Sequence, residues 1–249
     1  MLKSKIKLAY WQFNYLNYNI YMIKAIIFDF DATLYNYSGE FYTGPTGWKN
    51  FIKKCLNYSL DAVGCTDKDA FVKKYHLEDM CSYFRIANGM LDEFGTNEPV
   101  VEFLDKEYFH IPDENAIKFI DNEFLKDLHK KYKIFIVSGS APIHCKSYMQ
   151  FANIDLDNFD GITCCVRKGE KVSKIGCYKD ILKQENLKPN EVIVIGDSMS
   201  SDLLPGMELG MHVQQTKEIH NIKEIIQTID DYTRISSKKK NNEQMELMP

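Results

Sequence analysis

The stretch Lys24-Ala25-Ile26-Ile27-Phe28-Asp29-Phe30-Asp31-Ala32-Thr33-Leu34 decides the fold. Its first part is an apolar run that reads as a buried strand, and two carboxylates follow at its tip. Strands covered on both faces carry such near-continuous apolar runs. The carboxyl end of a strand is also where an open α/β sheet builds its binding crevice. Two aspartates at i and i+2 are ordinary alone; the downstream sequence gives them meaning. Ile134-Phe135-Ile136-Val137 runs into Ser138-Gly139-Ser140, Gly169-Glu170-Lys171 follows the run Gly161–Cys165, and Val192-Ile193-Val194-Ile195 runs into Gly196-Asp197-Ser198. Each segment puts a polar group at the end of an apolar strand or in the loop after it.

Five runs read as buried parallel strands: Lys24–Phe28, Lys133–Val137, Gly161–Cys165, Val192–Ile195 and Met211–Gln214. Helical patterns separate them. Ile117, Ile120, Phe124 and Leu128 recur at helical spacing, Ala141–Ala152 follows the second strand, Tyr178, Ile181 and Leu182 mark a third helix, and Ile219 to Ile229 a last one. Strands alternating with helices imply an α/β fold, a doubly wound, Rossmann-like sheet of five parallel strands. One connection is anomalous. About a hundred residues separate Leu34 from Lys133, whereas a parallel crossover needs only a dozen or more. A structureless loop of that length does not suit a compact domain, so the stretch must hold a folded insertion.

Helices are expected there at Trp48–Leu56, Lys68–Tyr75, Glu78–Met90 and Val100–Phe109, with turn signals at Gly44-Pro45, Gly64, Gly95 and Pro99. The expected organisation is an extension over 1–21, an α/β core of 22–39 and 113–235, a helical cap over 40–112, and a disordered tail over 236–249. Lys3, Lys5 and Lys7 precede an aromatic, amide-rich stretch that lacks the apolar run of a signal peptide. No segment has the length and apolarity of a membrane span. A net charge of -4 gives no electrostatic reason for binding nucleic acid or acidic membranes. Seven cysteines, odd in number and without Cys-x-x-Cys, fit reduced thiols and a cytoplasmic protein. The six histidines are dispersed and show no metal-ligand spacing.

Aspartate pair, serine, lysine and aspartate, in that order and at strand ends, resemble the four motifs of the haloacid dehalogenase superfamily. The resemblance implies that Asp29 is a nucleophile forming an aspartyl-phosphate, and that Asp31 protonates the leaving oxygen and then activates water. Thr33 orders the loop or is a plain turn residue. Ser138, with the amides of Gly139 and Ser140, forms a strand-to-helix turn suited to holding an anion. Lys171 is the expected cation, with Lys174 one helical turn away as the alternative. Asp29, Asp197 and the backbone carbonyl of Asp31 would form an oxygen-rich Mg²⁺ site. Asp202 either pairs with the lysine and orients the surroundings of Asp197, or is an aspartate favoured by a helix N-terminus. Phe41, Tyr42 and Trp48 either cover the substrate or belong to the core of the cap.

The function this implies is a Mg²⁺-dependent phosphatase acting on a small phosphorylated metabolite. Asp31 argues against the halide-releasing branch, which has no leaving oxygen to protonate. Phe28–Tyr35 and Phe159-Asp160-Gly161-Ile162 are also similar to cap-bearing pyrimidine 5′-nucleotidases. A phosphomutase or other phosphotransferase would use the same residues, and a non-catalytic binding protein would keep the fold alone.

Overall fold

The computed structural model describes residues 23–36, 47–78, 83–107, 117–118, 120–140, 142–216 and 223–231. The expected extension over 1–21, the tail over 236–249, and Phe41 and Tyr42 lie outside them. Strand β1 (Ala25–Phe28) sits at the centre of the sheet. Short β2 (Tyr35–Asn36) and β3 (Ile117–Lys118) form a separate pair. The remaining sheet strands are β4 (Lys133–Ser138), β5 (Gly161–Cys164), β6 (Val192–Gly196) and β7 (His212–Gln215). The order is β5-β4-β1-β6-β7 with every pairing parallel. Phe28 stands level with Ile136 and Ile195, so three strand tips end side by side. Strand order reverses at β1, and a crevice opens at such a point.

Period-two alternation explains why the strands read as unbroken apolar runs. Ile26, Phe28, Ile134, Ile136, Ile193 and Ile195 face one apolar cluster. Ala25, Ile27, Phe135, Val137, Val192 and Val194 face the other. Helices α5 (Asn122–His129) and α6 (Pro142–Phe151), with a helix over 223–231, cover the first face through Leu125, Leu128, Tyr148, Met149, Ile226 and Ile229. Helix α7 (Lys174–Gln184) covers the second through Cys177, Tyr178 and Ile181. At the far end of the sheet, Asp160 Oδ2 accepts from Ile134 N at 2.7 Å. The aspartate of the Phe159–Ile162 stretch therefore ties the start of β4, away from the strand tips.

Between β2 and β3 lie helices α1 (Trp48–Ala62), α2 (Lys68–Lys74), α3 (Tyr83–Phe94) and α4 (Glu98–Lys106). Asp67 caps α2, accepting from Ala70 N at 2.9 Å, and Gly95, at φ +71, ends α3 in the left-handed region that glycine tolerates. These helices bury Ile52, Leu56, Leu60, Ile86, Met90, Val100 and Phe103 in an apolar cluster of their own. Trp48, partly buried, packs against this cluster and against the sheet's Ile26 cluster, with its ring stacked on Phe51 and tilted against Tyr83. β2 and β3 pair antiparallel, Tyr35 opposite Lys118, so the chain leaves the sheet and returns side by side. Among the described residues, no helix is long and apolar enough to cross a membrane.

Candidate active site

Asp29 follows β1 directly, and its N–H donates to Ile195 O at 2.9 Å, which keeps the tip of β1 joined to β6. A tight turn then brings the amides of Thr33 and Leu34 back to Phe30 O, with Ala32 at φ 58. The turn places the Thr33 hydroxyl 3.0 Å from Asp29 Oδ2. Thr33 is therefore a partner of Asp29, beyond its place in the turn. The other oxygen of Asp29 meets Lys174 Nζ at 2.5 Å, and the same ammonium lies 2.8 Å from Asp202 Oδ1.

The lysine at the carboxylates is Lys174, not Lys171. Lys171 points outward and pairs with Asp92 on α3 at 2.8 Å, both side chains well exposed. The reason is the start of α7. Ser173 is extended (φ -159) and caps the helix, its Oγ accepting from Ile175 N, so Lys174 is the first helical residue. Helical side chains lean toward the helix N-terminus, and the N-terminus of α7 faces the strand tips. Lys171 precedes that turn and leans on the insertion instead. A serine followed by a helical run is a start signal that sequence carries; read at Ser173, it would have fixed the register.

Asp202 takes the first of its two expected roles, pairing with the lysine. It lies in a turn of wide helix, Met199–Leu203, and is buried. Its Oδ2 accepts from Ser198 N at 2.9 Å, and its Oδ1 accepts from Ser201 Oγ at 3.0 Å as well as from Lys174. Gly196 makes this possible: a Cβ there would lie 2.6 Å from the Asp202 side chain. Asp197 stands beside it, its carbonyl accepting from Gln215 Nε2 at 2.8 Å. Asp29, Asp197 and Asp202 each offer an oxygen within 4.8 Å of the others.

Asp31 faces a different wall. Its Oδ2 accepts from Ser140 Oγ at 2.7 Å and Ser138 Oγ at 3.2 Å, and its Oδ1 accepts from Tyr35 OH. Ser138 Oγ in turn accepts from Ser140 N at 2.8 Å. The Ser140 amide, expected to face an anion, is used within the turn. Tyr35 and the Ser140 hydroxyl carry no motif signal in the sequence; a tyrosine four residues after an aspartate is too common to single out.

The helical insertion reaches this wall. Tyr83 OH donates to Gly139 O, and the ring of Phe84 lies over Gly139 so closely that a Cβ would come within 2.1 Å of it. Gly139 is glycine because an aromatic ring occupies the space above it.

Burial sets the electrostatics. It pushes the Asp29 carboxyl well above the usual carboxylate range against the pull of Lys174, and Asp202 and Asp31 push it further. Burial also raises Asp197, with Asp202 adding to the effect. For Lys174 burial works downward, but Asp29 and Asp202 outweigh it and hold the ammonium well above its ordinary value. Asp29, Asp197 and Asp202 thus crowd together with one lysine, Lys174, among them. Their oxygens suit a hard divalent cation, which would offset the excess negative charge. Among the described residues, no histidine or cysteine joins this acidic cluster.

A family model described as haloacid dehalogenase-like hydrolase matches residues 23–210. The chain is 25% identical over 198 residues to a glyceraldehyde 3-phosphate phosphatase of Methanothermobacter thermautotrophicus, covering 76% of this chain and 84% of that one. Among solved structures, a haloacid dehalogenase-like hydrolase from Xanthomonas campestris is similar at a TM-score of 0.48 and 15% identity, covering 85% of this chain and 98% of that one. A Bacteroides thetaiotaomicron enzyme of the same family, in complex with magnesium and inorganic phosphate, is similar at a TM-score of 0.43 and 14% identity, covering 78% of this chain and 93% of that one.

Proposed function

Because the chain belongs to the haloacid dehalogenase-like hydrolase family, we propose that it is a Mg²⁺-dependent phosphatase of small phosphorylated metabolites. One observation carries the reading: Asp29 meets Lys174 in a buried site and shares an acidic cluster with Asp197 and Asp202. A phosphate ester resists attack because its oxygens are anionic, so the site must supply positive charge and an aligned nucleophile. The Asp29 carboxylate attacks phosphorus and the ester P–O bond breaks. Asp31, as the acid, gives its proton to the departing oxygen. Asp31 then takes a proton from a water that attacks the aspartyl-phosphate, releasing phosphate and restoring Asp29. Lys174 offsets the phosphoryl charge beside the nucleophile, while Asp202 and Thr33 fix the ammonium and the carboxylate.

Mg²⁺ would be held by Asp29, Asp197 and the Asp31 carbonyl, and would supply further charge neutralisation for the phosphoryl oxygens. Ser138 and Ser140 present hydroxyls to Asp31. A phosphate seated at this turn would compete for those hydroxyls and release Asp31 toward the leaving group. The seating of Tyr83 and Phe84 on Gly139 favours a small substrate. A triose phosphate is the first candidate, given the 25% identical relative and its name.

The test is hydrolysis of p-nitrophenyl phosphate with Mg²⁺ and after chelation, followed by a panel of triose phosphates, sugar phosphates and pyrimidine nucleoside monophosphates. Metal-dependent release of phosphate is expected, with triose phosphates preferred. No turnover of any phosphate ester with Mg²⁺ present would sink the reading; preference for the pyrimidine nucleotides would replace the substrate assignment.

A further inference from the structure

The turn that delivers Lys174 is gripped from the helical insertion. Asn97 stands at the N-terminal edge of α4 and is fully buried, 0% exposed. An asparagine in that place ordinarily accepts a bond from its own helix. Asn97 makes no such side-chain bond. Its Nδ2 donates instead to Arg167 O at 2.9 Å and Glu170 O at 3.0 Å, and its Oδ1 accepts from Gly169 N at 2.7 Å. All three bonds go to the backbone of one turn, in which Gly169 sits at φ +74. Two residues before the first residue of α7, Val172 N donates to Asn88 Oδ1 on α3 at 2.7 Å. Val166, at the start of the turn, is buried in the apolar cluster of the insertion. At the rim Glu98 pairs with Lys168, and Asp92 with Lys171.

We propose that Asn97 is a positioning residue for Lys174. It fixes the conformation of the 166–170 turn, Asn88 fixes the step to α7, and together they set where the ammonium meets Asp29. Full charge placement at the nucleophile then depends on the insertion being docked on the sheet. A substrate held under the insertion meets Lys174 only in the docked arrangement. A side chain serving merely to hold the insertion could bond to any exposed backbone. Asn97 instead holds the segment whose next helix begins with the lysine. The inference rests on the role proposed for Lys174, and its test has one arm independent of turnover.

The experiment uses the full chain as wild type, Asn97→Ala and Asn97→Asp. The aspartate keeps an acceptor for Gly169 N but turns its other oxygen against the carbonyls of Arg167 and Glu170. Hydrogen exchange should quicken across 166–174 in Asn97→Ala, with the amides of β1, β4 and β6 unchanged. With p-nitrophenyl phosphate and Mg²⁺, kcat should fall by about tenfold or more, since small misplacements of a catalytic group have effects of this order. KM should change less than about threefold, and kcat of Asn97→Asp, which sets a buried carboxylate oxygen against two carbonyls, should fall at least as far. Asn97→Ala should also cost little further activity in a Lys174→Ala background, because residues acting through one another are not additive. A raised KM with unchanged kcat, or full additivity with Lys174→Ala, would reduce Asn97 to a staple of the insertion and overturn the proposal. Unchanged exchange over 166–174 would overturn it as well, whatever the substrate. If Asn97→Ala does not fold, the exchange and kcat of Asn88→Ala, which removes the bond to Val172 N, decide by the same criteria. Absence of turnover in the wild type would instead strike the phosphatase reading.

Discussion

The sheet and the helical insertion bury opposite kinds of residue. Among the described residues, the buried charged side chains are Asp29, Lys174 and Asp202, all at the carboxyl edge of the sheet. The insertion is packed with aliphatic and aromatic groups, and its buried polar residues are Ser59 and Asn97. Desolvated charge needs a support that does not yield, and adjacent parallel strands with level tips provide one. Aromatic rings on helices give area and shape at little polar cost. In this molecule the sheet edge holds the buried charge and the insertion holds the apolar packing.

The strongest way to break this division is Asp29→Asn. Turnover should drop on the order of a thousandfold or more, because an amide is a poor nucleophile, with the near-ultraviolet circular dichroism unchanged. Activity near wild type would remove the chemistry from the strand tip. Lys174→Ala comes next, at about a hundredfold in kcat/KM, the scale of other deleted electrostatic stabilisers. It should also cost about 3–5 kcal/mol in urea unfolding, since two carboxylates remain buried without their cation.

Gly139→Ala tests the contact between the two regions. Its Cβ would collide with Phe84, so kcat/KM should fall by about tenfold, with part of the loss restored in the double variant with Phe84→Ala. Equal losses with and without Phe84 would mean that the ring is not what the new methyl meets. Within the insertion, Met90→Ala should cost about 2–5 kcal/mol by leaving a cavity, while kcat/KM of the folded protein changes less than in Gly139→Ala. The smallest effect belongs to Lys171→Ala. Its exposed pair with Asp92 is worth about 0–1 kcal/mol, and activity should stay within about twofold. A loss comparable to that of Lys174→Ala would return Lys171 to the site.

The same division governs how much is legible in the sequence. Strands buried on both faces leave apolar runs that composition alone exposes, and the parallel sheet brings their ends together. Asp29, Asp31, Ser138 and Asp197 can therefore be placed at strand tips from the order of residues alone. Lys174 cannot, because it follows a turn, and a turn has no periodicity from which to count. The register hangs on one capping serine. Helix existence in the insertion is legible from turn glycines and apolar spacing, with ends differing by several residues: the first helix runs to Ala62 rather than Leu56, and the last ends at Lys106 rather than Phe109. Tyr83, Phe84 and Asn97 are not legible as neighbours of the site. The partners of Tyr83 and Asn97 lie 56 to 73 residues away in the chain, and only docking of one region on the other brings them there.

The short pairing of Tyr35–Asn36 with Ile117–Lys118 has a consequence for how such a chain can be altered. Because departure and return run as neighbouring strands, about 5 Å apart, the insertion is a module with a two-stranded socket. A different set of helices could be grafted there without rethreading the sheet. The socket is not neutral, however, since Tyr35 both pairs with Lys118 and donates its hydroxyl to Asp31. A graft that keeps Tyr35 would keep its hydroxyl on Asp31; one that replaces it would change the helices and the surroundings of Asp31 in a single stroke.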